Sequence, residues 1–129
     1  MSDVREGLVY SREHEWVERL SETRVRVGIS GFAQEQLGDL VFVDLPAVGA
    51  TVTMDESLGS VESVKAVSDI FSPVSGTIVE VNGNLESDPE TINQDPYGEG
   101  WLVIIELSKP EEMQELLTAA QYAAFVAEE

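Results

Sequence analysis

The 129 residues suit one domain, 1–129, long enough to bury a core but not comfortably two. With 25 acidic against 7 basic residues the formal charge is −18, which excludes a phosphate-binding footprint, hence nucleic acid, and opposes docking on an anionic membrane. The absence of cysteine excludes disulfide frameworks, thiolate metal sites and thiol catalysis.

Such a charge favours solubility and steering toward basic patches on partner proteins. The N-terminal MSDVREGLVY has neither an apolar h-region nor the Arg- and Ser-rich, acid-poor character of a transit peptide. A cytoplasmic, bacterial protein is expected, or a mitochondrial one only if a presequence has been removed.

In chain order, EWVERL and TRVRVGI read as a hairpin, Val25, Val27 and Ile29 alternating with Arg24, Arg26 and Gly28. Ser30 has the character of an N-cap for a short helix through Phe32, Gln34 and Leu37, closed by Gly38. LVFVDLP (40–46) is nearly all apolar and predicts a buried strand ended by Pro46 and Gly49. TIVEVN (77–82) is a further strand, DPETIN one helical turn with Pro89 at its start, DPYGEG a tight turn, and WLVIIEL a buried strand. Ser108 and Glu111 have capping-box spacing around Pro110, and Met113, Leu116, Leu117, Ala120 and Ala124 form one apolar stripe. This predicts a C-terminal helix over about 109–127 packed on a mainly β body.

The stretch ESVKAVSD (62–69) is harder to place. Val61, Val64, Val67 and Ile70 recur every three residues, as in a helix. The run is nevertheless β-branched and lies between Gly59 and Pro73, which allows two strands meeting at a turn with Val64 and Lys65 at its centre. Neither is Gly or Asn, so turn chemistry does not decide between the two. The chain has only two lysines, Lys65 and Lys109. As a catalytic amine Lys65 would need burial or a cationic neighbour, and the charges near it in sequence are the carboxylates Glu62 and Asp69. A solvated surface charge, half of an ion pair or a point of covalent attachment is left.

Taken together, SREHEWV (11–17), VGISGFAQEQLGDLVFVDLPAVG (27–49), ESVKAVSDIFSPVSGTIVEVN (62–82) and DPYGEGWL (95–102) resemble the glycine cleavage H-protein family, in register from about Tyr10 to the end. The resemblance implies a mainly β, lipoyl/biotinyl-type barrel-sandwich hybrid with short flanking helices and a C-terminal α-helix. It places Lys65 at a hairpin tip as the lipoate attachment site, and it implies a non-catalytic carrier. Such a carrier takes the aminomethyl group of glycine from a pyridoxal-phosphate glycine decarboxylase to an aminomethyltransferase that uses tetrahydrofolate. A flavin-dependent dihydrolipoyl dehydrogenase reoxidises it. By the same resemblance Glu62, Gly49 and Gly76 match positions read by lipoate-attaching enzymes, and Glu15 matches a residue near which the loaded arm's amine shelters. Glu62 also reads as an exposed carboxylate, Gly49 and Gly76 as turn glycines, and Glu15 as a strand-face carboxylate. His14, the only histidine, lacks metal partners and suits packing or the surface.

Acylation of Lys65 would move the formal charge from −18 to −19. Gly31 stands where relatives often have an acidic residue, and MDESLGS (54–60) is individual. A lipoyl relay that donates lipoate to other enzymes is the alternative function. A biotinyl domain is disfavoured because the motif is Val-Lys-Ala rather than Met-Lys-Met, and a 2-oxoacid dehydrogenase domain because Pro/Ala-rich linkers are missing. The acids are too scattered for a hydrolase.

Overall fold

The computed structural model describes residues 5–127. Its strands are β1 (Val9–Tyr10), β2 (Glu15–Arg19), β3 (Arg24–Ile29), β4 (Leu40–Asp44), β5 (Thr51–Val52), β6 (Ser57–Ser63), β7 (Val67–Phe71), β8 (Gly76–Val81), β9 (Val103–Leu107) and β10 (Leu117–Thr118). They form a seven-stranded sheet in the order β10-β1-β2-β3-β9-β8-β5 and a three-stranded sheet in the order β4-β6-β7, with every pairing antiparallel.

The core lies between the sheets. Val17, Val27 and Val103 stand opposite one another across β2, β3 and β9 and so leave the large sheet on one side. They belong to the same buried cluster as Val43, Val61 and Ile70 of the small sheet. Burying each such side chain stabilises the fold by roughly 1.5–3 kcal/mol. On the other side of β2, Trp16 lies over Gly28, where a β-carbon would come within 2.5 Å of the indole. Its Nε1 donates to the Pro96 carbonyl at 2.9 Å. Tyr10 stacks on Tyr122 with centroids 4.3 Å apart, which fixes the chain's final helix to this outer side.

The short helices are α1 (Gly31–Leu37), α2 (Asn84–Ser87), α3 (Thr91–Gln94) and α4 (Ala119–Ala127). Helix α1 follows its sequence signals: Ser30 Oγ accepts the Ala33 N–H at 3.1 Å, and Gly38 N donates to the Gln34 carbonyl at 3.0 Å. The hairpin β2–β3 and the buried strand β9 also stand where periodicity predicts them.

Two expectations are corrected. The single helix over 109–127 is divided into a 3₁₀ turn (Pro110–Glu115), strand β10 and helix α4. The reason is competition for the same groups. Glu112 accepts from Ser75 N at 2.7 Å and Ser75 Oγ at 2.9 Å, and Leu117 and Thr118 pair with Tyr10 and Val9. The reciprocal cap that starts α4 is Thr118 with Gln121: Gln121 N donates to Thr118 Oγ1 at 3.2 Å, and Thr118 N donates to Gln121 Oε1 at 2.9 Å. Strand β4, expected to be buried, keeps Leu40 and Val43 inside but exposes both Val41 and Phe42, because its pairing with β6 shifts register between Leu40 and Phe42 and breaks the strict alternation of sides.

Candidate functional site

The ambiguous run around Lys65 is a hairpin. Strands β6 and β7 pair Ser60 with Asp69, Val61 with Ser68 and Glu62 with Val67, and the chain turns through Val64 and Lys65. Ser63 explains why neither turn residue is glycine. Its backbone N–H donates to the Ala66 carbonyl at 2.8 Å, while its buried Oγ accepts the N–H groups of Lys65 and Ala66, both at 3.1 Å. A serine hydroxyl thus satisfies the turn's free amides. Ser63 is absent from the sequence-derived candidates, although a serine two residues before the lysine is the signal that could have found it.

A second support comes from the segment after α1. The Asp39 carbonyl accepts the Val64 N–H at 3.1 Å. Asn93 of α3 holds this segment on both sides of Asp39: its Oδ1 accepts the Leu40 N–H at 2.9 Å, and its Nδ2 donates to the Gly38 carbonyl at 2.8 Å and to Gln34 Oε1 at 3.0 Å. Gly38 has φ +82°, and a β-carbon there would stand 3.3 Å from Lys65 Cε. The lysine stem therefore runs along a bare glycine and continues into solvent, since Lys65 itself is exposed. Among the described residues no carboxylate lies within ion-pair distance of its amine. An exposed, unpaired primary amine on a turn clamped from two sides is a nucleophile that another enzyme's active site can reach. The other lysine, Lys109, lies before the 3₁₀ turn and has no such hairpin beneath it.

The remaining candidates divide. Glu62 is exposed one pair below the turn, opposite Phe42 on one side and Val67 on the other. Gly49 and Gly76 stand with the other sheet. Gly49, at φ +95°, donates to the Ile78 carbonyl at 2.8 Å in open surroundings. Gly76 is buried in β8, where a β-carbon would lie 2.0 Å from the Glu106 carbonyl oxygen.

Glu15 shares the inner side of β2 with Val17 and is 2% exposed. Ser11 Oγ donates to its Oε1 at 2.5 Å, and Phe71 N in the facing sheet donates to its Oε2 at 3.4 Å. Burial pushes its pKa up to about 8, against the opposing pull of the Ser11 and Phe71 bonds, so the carboxyl is mainly protonated at neutral pH. His14, at φ 74°, sits beside it with Nδ1 2.8 Å from the Tyr122 hydroxyl and its ring against Phe32. Of the two roles expected of it, packing or surface, it takes packing. It also lines a cleft of about 220 Å³ that Glu13, Phe32, Leu37 and Ser68 share, between α1 and the lysine-bearing hairpin. Gly31 is buried at the start of α1, its N–H donated to the Tyr97 hydroxyl at 3.0 Å.

Residues 8–129 match the family described as Glycine cleavage H-protein. The chain is 55% identical over 125 residues to the glycine cleavage system H protein of Coprothermobacter proteolyticus, covering 97% of this chain and 98% of that one. It is 56% identical over 128 residues to that of Symbiobacterium thermophilum, covering 99% of each. Among solved structures, it is similar to the crystal structure of a glycine cleavage system H protein from Mycobacterium marinum, with TM-score 0.89 and 46% identity over 96% of this chain and 99% of that one.

Proposed function

The chain belongs to the glycine cleavage H-protein family, the lipoyl carriers of the glycine cleavage system, and from that premise we propose that Lys65 is the lysine on which it carries lipoate. The architecture is the lipoyl-type β-sandwich of that family. One observation carries the assignment: Lys65 is exposed and unpaired at the tip of a hairpin held by Ser63 and Asp39. When bound, the lipoyl group supplies a reducible pair of sulfurs, which a cysteine-free chain lacks.

The protein's own residues hold and present. Ser63, Asp39 and Asn93 fix the turn, so little order is lost when a partner engages it. The cleft between α1 and β7 gives an apolar wall, Phe32 and Leu37, beside the arm's root. Glu15 is buried behind His14 rather than lining this cleft, and its raised pKa means that a cation such as an amine brought close to it would favour its ionisation. Once Lys65 has been acylated, the chain contributes no acid, base or nucleophile to the glycine reaction and acts as a carrier between enzymes. Its partners in this reading are a pyridoxal-phosphate glycine decarboxylase, an aminomethyltransferase and a dihydrolipoyl dehydrogenase, with a lipoate-attaching enzyme before them. Glu62, Gly49 and Gly76 serve recognition by that last enzyme, Gly76 through the shape of β8 rather than by contact at the tip. A cytoplasmic location accords with the bacterial relatives.

The test is the intact mass of the protein after incubation with lipoate, ATP and a lipoate-attaching enzyme. A single lipoyl increment on the peptide holding Lys65, lost in Lys65→Arg, is expected. An increment on Lys109 would overturn the assignment.

A further inference from the structure

Of the six large apolar side chains that stand exposed among the described residues, four lie on β4 or at the lysine-bearing hairpin: Val41, Phe42, Val64 and Val67. A single exposed valine is ordinary, but a group on one sheet is not. The register gives the group a shape. Phe42 pairs with Glu62 and Glu62 with Val67, so the three side chains form one row across the outer side of the small sheet. Phe42 is 53% and Val67 67% exposed. Val64, 71% exposed, continues the apolar surface into the turn. The next row on the same side, one step away from the lysine, is Asp44, Ser60 and Asp69, both acids exposed. Strands β4, β6 and β7 contain no basic residue, and Lys65 is the one cation of the β6–β7 hairpin.

Reach decides which partner covers the row. An unmodified lysine amine stands only about 6 Å from its backbone, by ordinary bond lengths. An enzyme that acylates Lys65 must therefore press on the hairpin itself, and Val67 is two residues from that amine. Enzymes that act on the loaded arm meet a group on the order of 12 Å out and can work from a more distant rim. Resting on the reading of Lys65 as the attachment site, we propose that Phe42 and Val67, flanking Glu62 in one cross-strand row, form the docking surface for the lipoate-attaching enzyme. The complementary face carries an apolar recess around a guanidinium or ammonium that meets Glu62, with further positive charge toward Asp44 and Asp69. The row gives the shape fit and the acids give the orientation. Truncating its two apolar ends weakens a well-packed contact, whereas neutralising Glu62 removes one charged hydrogen bond and lowers the salt sensitivity of association.

The experiment measures kcat/KM for lipoylation of the purified apo-protein by a bacterial lipoate–protein ligase with lipoate and ATP. The Phe42→Ser/Val67→Thr double variant is expected to fall by about tenfold, mostly through KM. Phe42→Ser alone and Glu62→Gln should each fall by less, and Leu20→Thr, an exposed leucine outside the row, should stay at the wild-type value. Each variant, driven to full loading by long incubation, should then support glycine–bicarbonate exchange near the wild-type rate. Wild-type lipoylation of both Phe42→Ser and the double variant overturns the proposal, while loss of labelling in Lys65→Arg would leave the attachment site standing. A loss of exchange in the loaded double variant equal to its loss in lipoylation also overturns it, because the row would then serve the glycine-cleavage partners.

Discussion

The backbone N–H of Val64 donates to the carbonyl of Asp39 at 3.1 Å, joining the residue before the lysine to a segment 25 positions earlier. That carbonyl is held in place by Asn93, which bonds Gly38 and Leu40 on its two sides. Asn93→Ala leaves the Leu40 N–H and the Gly38 carbonyl without their side-chain partner. A loss of about 1–3 kcal/mol in urea unfolding is expected, together with faster hydrogen exchange at the Val64 amide. Unchanged exchange at Val64 would mean that the turn is held by Ser63 alone.

Gly38 combines φ +82° and ψ −156°, a region open essentially to glycine, with the close approach of the lysine stem. Gly38→Ala is expected to cost about 1–3 kcal/mol from the backbone conformation and to shift the Lys65 stem by a few tenths of an ångström on its shelf. Thermal unfolding reads the first effect. Lipoylation at a temperature where the variant is fully folded reads the second, as a lower kcat/KM than wild type. Equal lipoylation would show that the shelf does not aim the amine.

How far the site was legible follows from where its forces come from. Helix α1 could be read because Ser30 and Gly38 act within a few residues of the groups they cap. The lysine hairpin could not be decided from periodicity. Its turn is stabilised by a serine side chain and by a carbonyl from another part of the chain, neither of which adds a glycine or asparagine signal. The exposure of Phe42 was hidden for a different reason: an apolar strand does not state where its pairing shifts register. Glu112 satisfies Ser75 across the fold in place of a helical role, which a local capping pattern cannot anticipate. The proposal that Lys65 is the attachment lysine rests on resemblance across the chain, and the structure supplies the physical reason that its amine is accessible.

Gly49 and Gly76 are both proposed to serve recognition, yet their surroundings predict opposite responses. Gly49→Asn keeps a residue that tolerates positive φ in open space, so a change of a few tenths of a kcal/mol is expected. Gly76→Ala places a β-carbon 2.0 Å from the Glu106 carbonyl oxygen and must part β8 from β9. A large fall in melting temperature is expected for Gly76→Ala, with lipoylation lost in proportion to the folded fraction. Lipoylation lost while the variant melts like wild type would instead assign Gly76 a direct part in recognition.

Glu15 couples the interior to pH. Its folded pKa of about 8 lies above the ordinary 4.5, because a buried charge between the sheets is penalised. A raised carboxyl pKa means that the folded protein binds this proton more tightly than the unfolded chain. The contribution to stability is complete below about pH 4.5 and is lost as pH rises through 8. By pH 7 the loss amounts to about 3 kcal/mol. Glu15→Gln has no proton to lose, so its melting temperature should match wild type near pH 4.5 and exceed it increasingly toward pH 8. The comparison between the two proteins cancels the general repulsion among the other carboxylates, which rises with pH in both. Parallel curves would show that Glu15 ionises freely in the folded state. The carboxyl would then carry its negative charge before any amine arrives, and a cation drawn to it would change its protonation by nothing.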